Sequence, residues 1–253
     1  QSGSAGSDVS IRNDVALRDN VMTFDVALRL TEIVMALAFL QQCAEHLAVG
    51  TRSDRLWYGA RAVACVGLLF SIATPFCLVV LCAISLRNLS RFGGPYNGGS
   101  DKMGLLILWC VTAAHILPVR LWQEMALAYL AVQMVLSYFI SGQIKIVNPA
   151  WRSGQALVDV FAFSAYPVSE QLRRLAQHKS LLLVMSWAVM LFEVLFPLTL
   201  LDGTALIIGL GIGASFHLAN ACLFGLNRFF WIWLAAYPSL IWFQGRLSTI
   251  LTF

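Results

Sequence analysis

Long apolar runs separated by short polar connections make up most of the chain. The runs occupy residues 26–48, 56–73, 74–90, 104–117, 119–143, 179–201, 204–226 and 228–245. A helix needs about 20 apolar residues to cross the ~30 Å hydrocarbon core of a bilayer. The pattern therefore predicts an all-α integral membrane protein, folded as a polytopic bundle of about eight helices, some of them short.

The second and third runs follow one another without a polar break, and we interpret them as a hairpin. One helix over residues 56–86 would measure about 46 Å at 1.5 Å per residue, which is too long for an untilted crossing. Pro75 also lies close to the junction. Two shorter helices joined by a tight turn near residues 70–76 are therefore predicted.

Polar segments flank and interrupt the bundle. Residues 1–24 are rich in Gly and Ser at their start, and we treat them as a polar terminal segment, in part added or processed, before one transmembrane domain at 25–253. Residues 87–102 contain four glycines and one proline, a composition that argues against a regular helix. Residues 144–178 mix apolar and charged side chains, so we expect interfacial helices across the membrane surface.

Composition agrees with a membrane location and excludes several other functions. Of the 253 residues, 59% are hydrophobic and 12% are charged, and the mean hydropathy is +0.75, outside the usual range of soluble domains. The net charge of +4 comes without a dense basic cluster, so no nucleic-acid partner is expected.

The six cysteines lack metal-ligand spacing, and no metal site is predicted. A secondary transporter ranks last because the sequence shows no internal repeat.

Ionisable residues inside the apolar runs are candidates for function, because each costs several kcal/mol in lipid unless it is paired or reaches water. Six residues qualify: Glu32, Glu45, His46, His115, Glu193 and His217. Glu32 follows Arg29 by three positions, which predicts an ion pair within one helix. Arg120 and Glu124 have the equivalent spacing of four. Glu45 and His46 lie near the end of their run, where both can reach the interface.

One helical face of the seventh run combines glycines with polar residues. Gly209, Gly213 and His217 repeat every four residues, and Asn220 lies about one turn further. Glycines let another helix approach closely, so this face is expected to point into the bundle. A hydrogen-bonded core histidine fits this pattern as well as a reactive one.

Glu193 lies between apolar neighbours, four residues before a proline that frees a backbone carbonyl. A carboxyl group in such surroundings is expected to be neutral or to pair with an inward-facing cation. A proton relay and a purely structural hydrogen bond both fit this position.

The stretch YFISGQIKIVNPAWRSG, residues 138–154, carries a single lysine out of the fifth run. One interpretation is that Lys145 snorkels to the headgroups. The other is that the turn through Pro149 and Trp151 covers the amine. A partly desolvated lysine loses its proton more easily and can act as a base.

This stretch resembles a segment of the vitamin K-dependent γ-glutamyl carboxylases, which reads Tyr-Phe, a small residue, Gly, two residues, Lys, a short turn, Trp, two residues and Gly. In that family the lysine is the base that deprotonates the hydroquinone. The resemblance assigns this role to Lys145. We add Tyr138 and Trp151, from the same stretch, and Glu193 to the residues expected to bind the cofactor.

A second stretch, FHLANACLFGLNRFF at residues 216–230, resembles the carboxylase pattern Phe/Tyr-His-x-x-Asn-x-x-Leu-Phe. The match places His217 and Asn220 at the histidine and the asparagine of that pattern. It implies that both residues hold the quinol oxygens or the anion that develops there.

A third stretch, YNGGSDKMGLL at residues 96–106, resembles the carboxylase pattern Trp-Asn-Asn-His-Ser and matches Asn97 and Ser100. Gly99 stands where the carboxylases carry a histidine, and Asp101 is expected to replace that histidine chemically. These residues are expected to bind the substrate or to complete the proton path.

The closer likeness is to the compact bacterial branch of the HTTM superfamily, which keeps the membrane core and includes the membrane protein that helps to mature the sporulation-delaying peptide toxin. The resemblance implies a quinol-dependent enzyme of the bacterial cytoplasmic membrane that modifies or helps to mature a secreted peptide or protein. It also implies a menaquinol-type naphthohydroquinone as cofactor, O2 and CO2 as co-substrates, and a partner protein subunit. Since residues 1–253 show no counterpart of the carboxylases' luminal domain, propeptide recognition is not expected.

In a second hypothesis, the protein binds a quinone but does not catalyse a reaction. Small four-helix families share the pattern YF..G..K......W..G, so a quinone-binding subunit that anchors a soluble oxidoreductase or maturation partner fits the same residues. Two predictions of the side of the membrane on which Lys145 lies disagree. The excess of Lys and Arg in the loops on its face predicts the cytoplasm, whereas the resemblance predicts the side where secreted substrates are exposed.

Overall fold

The structure is a computed structural model that describes residues 22–90, 98–163 and 169–251. These residues are almost entirely helical, which confirms the predicted all-α fold. Two 3-10 turns span Arg174–Gln177 and Phe196–Leu201. The helices in chain order are α1 (Phe24–Val49), α2 (Arg52–Leu69), α3 (Thr74–Ser90), α4 (Gly98–Ile116), α5 (Arg120–Val147), α6 (Pro149–Arg152), α7 (Gln155–Phe163), α8 (Glu170–Arg173), α9 (Lys179–Leu195), α10 (Gly203–Phe224) and α11 (Asn227–Leu251).

Each of the eight predicted apolar runs coincides with one helix of 17 residues or more. Within the described residues, three segments are long and apolar enough to cross a membrane: Arg120–Val147, Lys179–Leu201 and Gly203–Phe224. These segments indicate an integral membrane protein. That the other long helices also cross stays a prediction.

The α2–α3 pair forms the predicted hairpin. Its turn places two non-glycine residues, Ser71 (φ 56°) and Ala73 (φ 46°), in the left-handed region, which costs energy for residues with a Cβ. Arg29 of α1 supports the turn, since its guanidinium donates to the carbonyls of Leu68 (2.7 Å) and Leu69 (2.6 Å). The last carbonyls of α2 are thereby satisfied inside the bundle.

Both predicted intrahelical ion pairs are present. Arg29 Nη1 lies 2.9 Å from Glu32 Oε2, and Arg120 Nε lies 3.2 Å from Glu124 Oε1. His115 Nε2 also contacts Glu32 Oε1. Glu32 and His115 therefore belong to a polar network that joins α1 to α4, which accounts for two of the six ionisable residues within apolar runs.

The glycine-rich connection differs from its prediction. Residues 87–102 are helical at both ends, because α3 continues to Ser90 and α4 begins at Gly98. Glycine is accepted there, because it is among the residues preferred at the start of a helix. Asp101 in that first turn also complements the positive end of the helix dipole.

Lys145 lies on a helix and not in a separate interfacial segment. α5 extends to Val147, and the side chain of Asn148 then accepts a hydrogen bond from the amide of Ala150 (2.9 Å), which starts α6. Part of the predicted interfacial region 144–178 is thus the last turn of α5, since no helix breaker precedes Asn148. The rest forms the short helices α6 to α8, whose location at the membrane surface stays a prediction.

Glycines set how closely α5 packs against α9 and α10. A Cβ at Gly142 of α5 would lie 2.7 Å from Val194 and 2.9 Å from Glu193 of α9. A Cβ at Gly213 of α10 would lie 2.9 Å from the hydroxyl of Tyr138. The glycine face of α10 is buried, as predicted. These close approaches bring the polar residues of the three helices together.

Candidate functional site

Lys145 and Glu193 form a buried ion pair between α5 and α9. Lys145 Nζ lies 2.5 Å from Oε2 and 2.7 Å from Oε1 of the carboxylate. Ser141 accepts a hydrogen bond from this amine (2.6 Å) and donates one to Glu193 Oε1 (3.2 Å). The exposed fraction is 15% for the lysine side chain and 4% for the glutamate. Of its two predicted states, Glu193 therefore adopts the pairing with an inward-facing cation.

The turn after α5 covers the amine of Lys145. The ring centroid of Trp151 lies 5.2 Å from Nζ. Ser186 of α9 donates to the carbonyl of Trp151 (2.6 Å), which fixes the turn against α9. Gly154, at φ 77°, allows a close approach, since a Cβ there would lie 2.8 Å from Leu183 Cα. The arrangement is a covered amine and not a snorkelling lysine.

A second polar group lies two turns earlier on α5. Tyr138 Oη lies 2.9 Å from His217 Nε2 and 3.4 Å from Tyr237 Oη. The ring centroid of Phe196 is 4.3 Å from that of Tyr138, and the Trp233 ring is 5.1 Å from the His217 ring. Tyr138 and His217 are buried. The histidine is thus hydrogen-bonded and inward-facing, as the glycine pattern predicts.

One cavity of about 230 Å³ joins the two polar groups. Five of the nine predicted site residues line it: Tyr138, Lys145, Glu193, His217 and Asn220. Ser141 and the rings of Phe216, Phe229 and Trp233 are also part of its wall. Trp151 belongs to the same group through its contact with the Lys145 amine. We refer to this space as the Lys145 cavity.

Two of the remaining predicted residues line a different cavity. Ser100 and Asp101, in the first turn of α4, line a second cavity of about 380 Å³ with walls from α1, α2, α3, α4 and α11. Asn97 lies outside the described residues. Lys145 is the predicted base, and Asp101 is predicted to bind the substrate or to complete the proton path; the two side chains line different cavities.

The first turns of α11 contribute to both cavities. Phe229 and Trp233 line the Lys145 cavity, whereas Arg228 and Ile232 line the second one. A Cβ at Gly99 would lie 3.0 Å from the Phe229 ring. The start of α4 is therefore packed against this wall, and the position that is histidine in the carboxylases has little space here for a side chain.

Asp101 belongs to a network that the sequence analysis missed. Gln42 Nε2 donates to Asp101 Oδ1 (3.5 Å), and Gln42 Oε1 accepts from Arg61 Nη1 (2.7 Å). Burial raises the pKa of the Asp101 carboxyl, although Arg228 and Arg61 act in the opposite direction. A signal was available in the sequence, because Arg61 is a charged residue inside the apolar run 56–73.

Two residues that contact the predicted site residues, Ser141 and Tyr237, were also missed. Ser141 precedes Lys145 by four positions, which places both side chains on one helical face and could have revealed the contact. Tyr237 comes from α11 and reaches Tyr138 only through packing of helices far apart in sequence. No local pattern marks it.

Comparisons with known proteins give one family match. A family model described as the HTTM domain matches residues 111–244, more than half of the chain. The matched range contains the whole wall of the Lys145 cavity, whereas Ser100 and Asp101 precede it. Comparisons with curated proteins and with solved structures give no significant match.

Proposed function

Because the chain belongs to the HTTM domain family, which is linked to vitamin K-dependent carboxylase-like membrane proteins, we propose that it is a quinol-dependent membrane enzyme that modifies or helps to mature a secreted peptide or protein. The convergence of the Lys145–Glu193 and Tyr138–His217 pairs on one cavity carries this proposal. Groups that transfer protons beside an apolar space suit the chemistry of a bound quinol.

The residues of the Lys145 cavity fit the headgroup of a naphthohydroquinone. The volume of about 230 Å³ is below the ~300–1,000 Å³ of pockets for drug-sized ligands, so a bicyclic ring fits better than a larger molecule. The rings of Phe216, Phe229 and Trp233 offer apolar surface to such a ring. The hydroxyl of Tyr138 and the amide of Asn220 offer hydrogen bonds to its oxygens.

The Lys145–Glu193 pair provides a proton acceptor. When bound, a quinol supplies two electrons and two protons. The ionised pair has no net charge, and a proton that it accepts resides on Glu193 while Lys145 stays positive. Lys145 acts as the base itself only when Glu193 already holds the proton of the pair. Both routes end with an ammonium beside a protonated carboxyl.

The hydrogen bond between Tyr138 and His217 holds the other polar groups of the cavity in place. The hydrogen bond to Tyr138 fixes the orientation of the imidazole, so that His217 and Asn220 present donors or acceptors at defined places. The surrounding aromatic rings give the cavity an apolar wall, which disfavours water. Slow exchange of an accepted proton with solvent is what the family's strong-base chemistry requires.

The finer parts of the proposal rest on the resemblance to the carboxylase core. They are the menaquinol-type cofactor, O2 and CO2 as co-substrates, a partner subunit, the bacterial cytoplasmic membrane, and the compact branch that includes the toxin-maturation protein. Ser100 and Asp101 are assigned to the substrate and not to the quinol, because they line the second cavity. Asn97 is assigned with them because it belongs to the same stretch, residues 96–106.

Quinol oxidation by the protein in liposomes tests the proposal. With reduced menaquinone, the wild type is expected to consume oxygen faster than empty liposomes. Lys145→Ala and Glu193→Gln should each lower this rate about a hundredfold, as for the loss of an acid–base group. Glu170→Gln, at an exposed glutamate, is the matched control and should keep the wild-type rate. Absence of protein-dependent oxidation would contradict the proposal, as would equal rates in all variants.

A quinone-binding subunit without catalysis is the second candidate. The ion pair favours it, because an ammonium 2.5 Å from a carboxylate donates hydrogen bonds and has no lone pair for a further proton. Lys145→Arg separates this candidate from an enzyme in which Lys145 is the base, since arginine keeps the charge and the donors but does not release a proton. Such an enzyme would retain quinone and lose oxidation, whereas the anchoring subunit would lose neither quinone nor the activity of its assembly. Where Glu193 takes the proton instead, Glu193→Gln makes the same separation, because an amide does not accept that proton.

A further inference from the structure

The second cavity is built around a buried arginine. Arg61 of α2 is 4% exposed and lines the 380 Å³ space. Its Nη1 donates to Gln42 Oε1 (2.7 Å), and its guanidinium lies 4.1 Å from the ring centroid of Phe39. Within the described part of the chain, no carboxylate oxygen lies within 4.0 Å of this guanidinium. A buried cation with only an amide and a ring as partners lacks the counterion that burial requires.

Three buried polar atoms of the same cavity wall have no hydrogen-bond partner in the described residues. They are Arg61 Nε, Ser85 Oγ and Asn88 Nδ2. An arginine Nε and an amide Nδ2 are donors only, and a hydroxyl can donate. Buried donors are normally satisfied. Each of these three donors therefore lacks the acceptor that a buried donor normally has.

The charges around the cavity favour an anionic acceptor. Four basic side chains line it: Arg61, Arg87, Lys102 and Arg228. The acidic side chains in the wall are Asp54 and Asp101. Arg228 is paired with Glu45 (2.7 Å), and His46 lies 3.4 Å from Arg228. Asp101 is bridged to Arg61 by Gln42 and acts on the guanidinium only as a charge beyond direct contact. The net charge of the side chains in the wall is positive. Asp101 carries a negative charge that opposes an incoming anion.

We propose that this cavity binds an anionic oxygen group, a carboxylate or a phosphate, held by Arg61, Ser85 and Asn88. Both groups accept several hydrogen bonds and match the planar donors of a guanidinium. The inference concerns the cavity that the proposed function assigns to the substrate, but it does not depend on quinol oxidation. Anion binding at Arg61 can be confirmed or disproved whether or not the Lys145 cavity oxidises a quinol.

Anion-dependent stabilisation of the purified protein in a neutral detergent is the first test. Potassium acetate and potassium phosphate are compared with potassium chloride at equal ionic strength, and dioleoylphosphatidylglycerol is added to the micelles in a third arm. A saturable rise in Tm beyond chloride is expected in at least one arm. A rise with the lipid alone would identify a lipid phosphate as the source of the anion. No saturable rise in any arm would overturn the proposal.

Variants of Arg61 show whether the binding occurs at this cavity. Arg61→Gln should raise the apparent Kd about tenfold or more, and Arg61→Lys should raise it less because it keeps the charge. Arg55→Gln, at an exposed arginine of the same helix, should leave the Kd unchanged. Asp101→Asn should lower it about threefold, because it removes the opposing charge. Wild-type affinity in both folded Arg61 variants would overturn the assignment.

Chemical labelling gives a test that needs no variant. Phenylglyoxal modifies arginine, and peptide mass spectrometry gives the rate at each position. The bound anion is expected to slow the modification of Arg61 several-fold and to leave Arg55 unaffected. An unchanged rate at Arg61 under saturating anion would contradict the proposal even if every Arg61 variant failed to fold.

Discussion

Lys145 and Arg61 are both buried cations, yet their surroundings differ. Lys145 has a carboxylate of its own chain, Glu193, at 2.5 Å. Arg61 has the amide oxygen of Gln42 at 2.7 Å and the ring of Phe39. A cation neutralised by its own chain suits proton transfer with an uncharged ring, whereas a cation without an internal counterion suits an external anion. The two cavities are therefore expected to take ligands of different charge.

The first turns of α11 show how one helix serves both environments. Arg228 and Phe229 are neighbours in sequence, but successive residues are about 100° apart around a helix. One side of α11 therefore gives a charged wall to the second cavity. The other side gives an aromatic wall to the Lys145 cavity.

Removing the counterion of Lys145 is expected to have the largest effect on stability. Glu193→Leu leaves the ammonium buried and unpaired, and should lower the free energy of unfolding by about 3–5 kcal/mol. The double variant Lys145→Met, Glu193→Leu should recover most of this loss, because no charge remains. Denaturation in one detergent compares all three proteins. A single Glu193→Leu variant as stable as the wild type would disprove the pairing.

Moving α5 away from α9 is expected to have a smaller effect. The methyl group of Gly142→Ala would lie 2.7 Å from Val194, and such overpacking should cost about 1–3 kcal/mol. Quinol oxidation should fall as well, because the Lys145–Glu193 contact is lengthened. Gly211→Ala is the control, since nothing lies within 4 Å of a Cβ there. Alanine at Gly211 should stabilise α10 by up to ~1 kcal/mol. A destabilisation of the same size at both positions would contradict this account of the packing.

Replacing Arg61 is expected to cost the least in the absence of an anion. Arg61→Met leaves the amide oxygen of Gln42 without its partner but leaves no carboxylate without a counterion. The free energy of unfolding should therefore fall by about 1 kcal/mol. The difference from the wild type should widen when phosphate or acetate is added, because only the wild type binds the anion. Denaturation with and without the anion measures both quantities. A loss as large as that of Glu193→Leu would show that Arg61 has an internal counterion.

Local patterns predicted the elements of the fold well. The eight apolar runs, the break near Pro75 and the four-residue spacing of Gly209, Gly213 and His217 are all short-range signals, and each corresponds to a helix, a turn or a buried face. The helical ends of residues 87–102 were missed, because glycine content was weighed without the freedom of a first turn. The residues at which helices begin and end therefore depend on position within the helix as well as on composition.

The site was predicted less completely, because its contacts are long-range. The sequence indicated that Glu193 needs a cation, but Lys145 lies 48 positions away and several basic residues were available. The division of the predicted residues between two cavities depends on where α11 packs. Arg61 was missed for a different reason, since its signal, a charge inside the apolar run 56–73, is local and needs no structure.

The central claim is that the Lys145 cavity holds a quinone headgroup, and lipid extraction tests it most directly. The protein is purified under mild conditions, and its bound quinone is measured by mass spectrometry in the wild type, in Lys145→Ala and in Ser137→Phe. Ser137 lines the cavity, and a phenylalanine there would occupy the space of the ligand. We expect quinone to co-purify with the wild type and with Lys145→Ala, and to be lost from a folded Ser137→Phe. A wild type without quinone, or one from which Ser137→Phe does not differ, would contradict the claim.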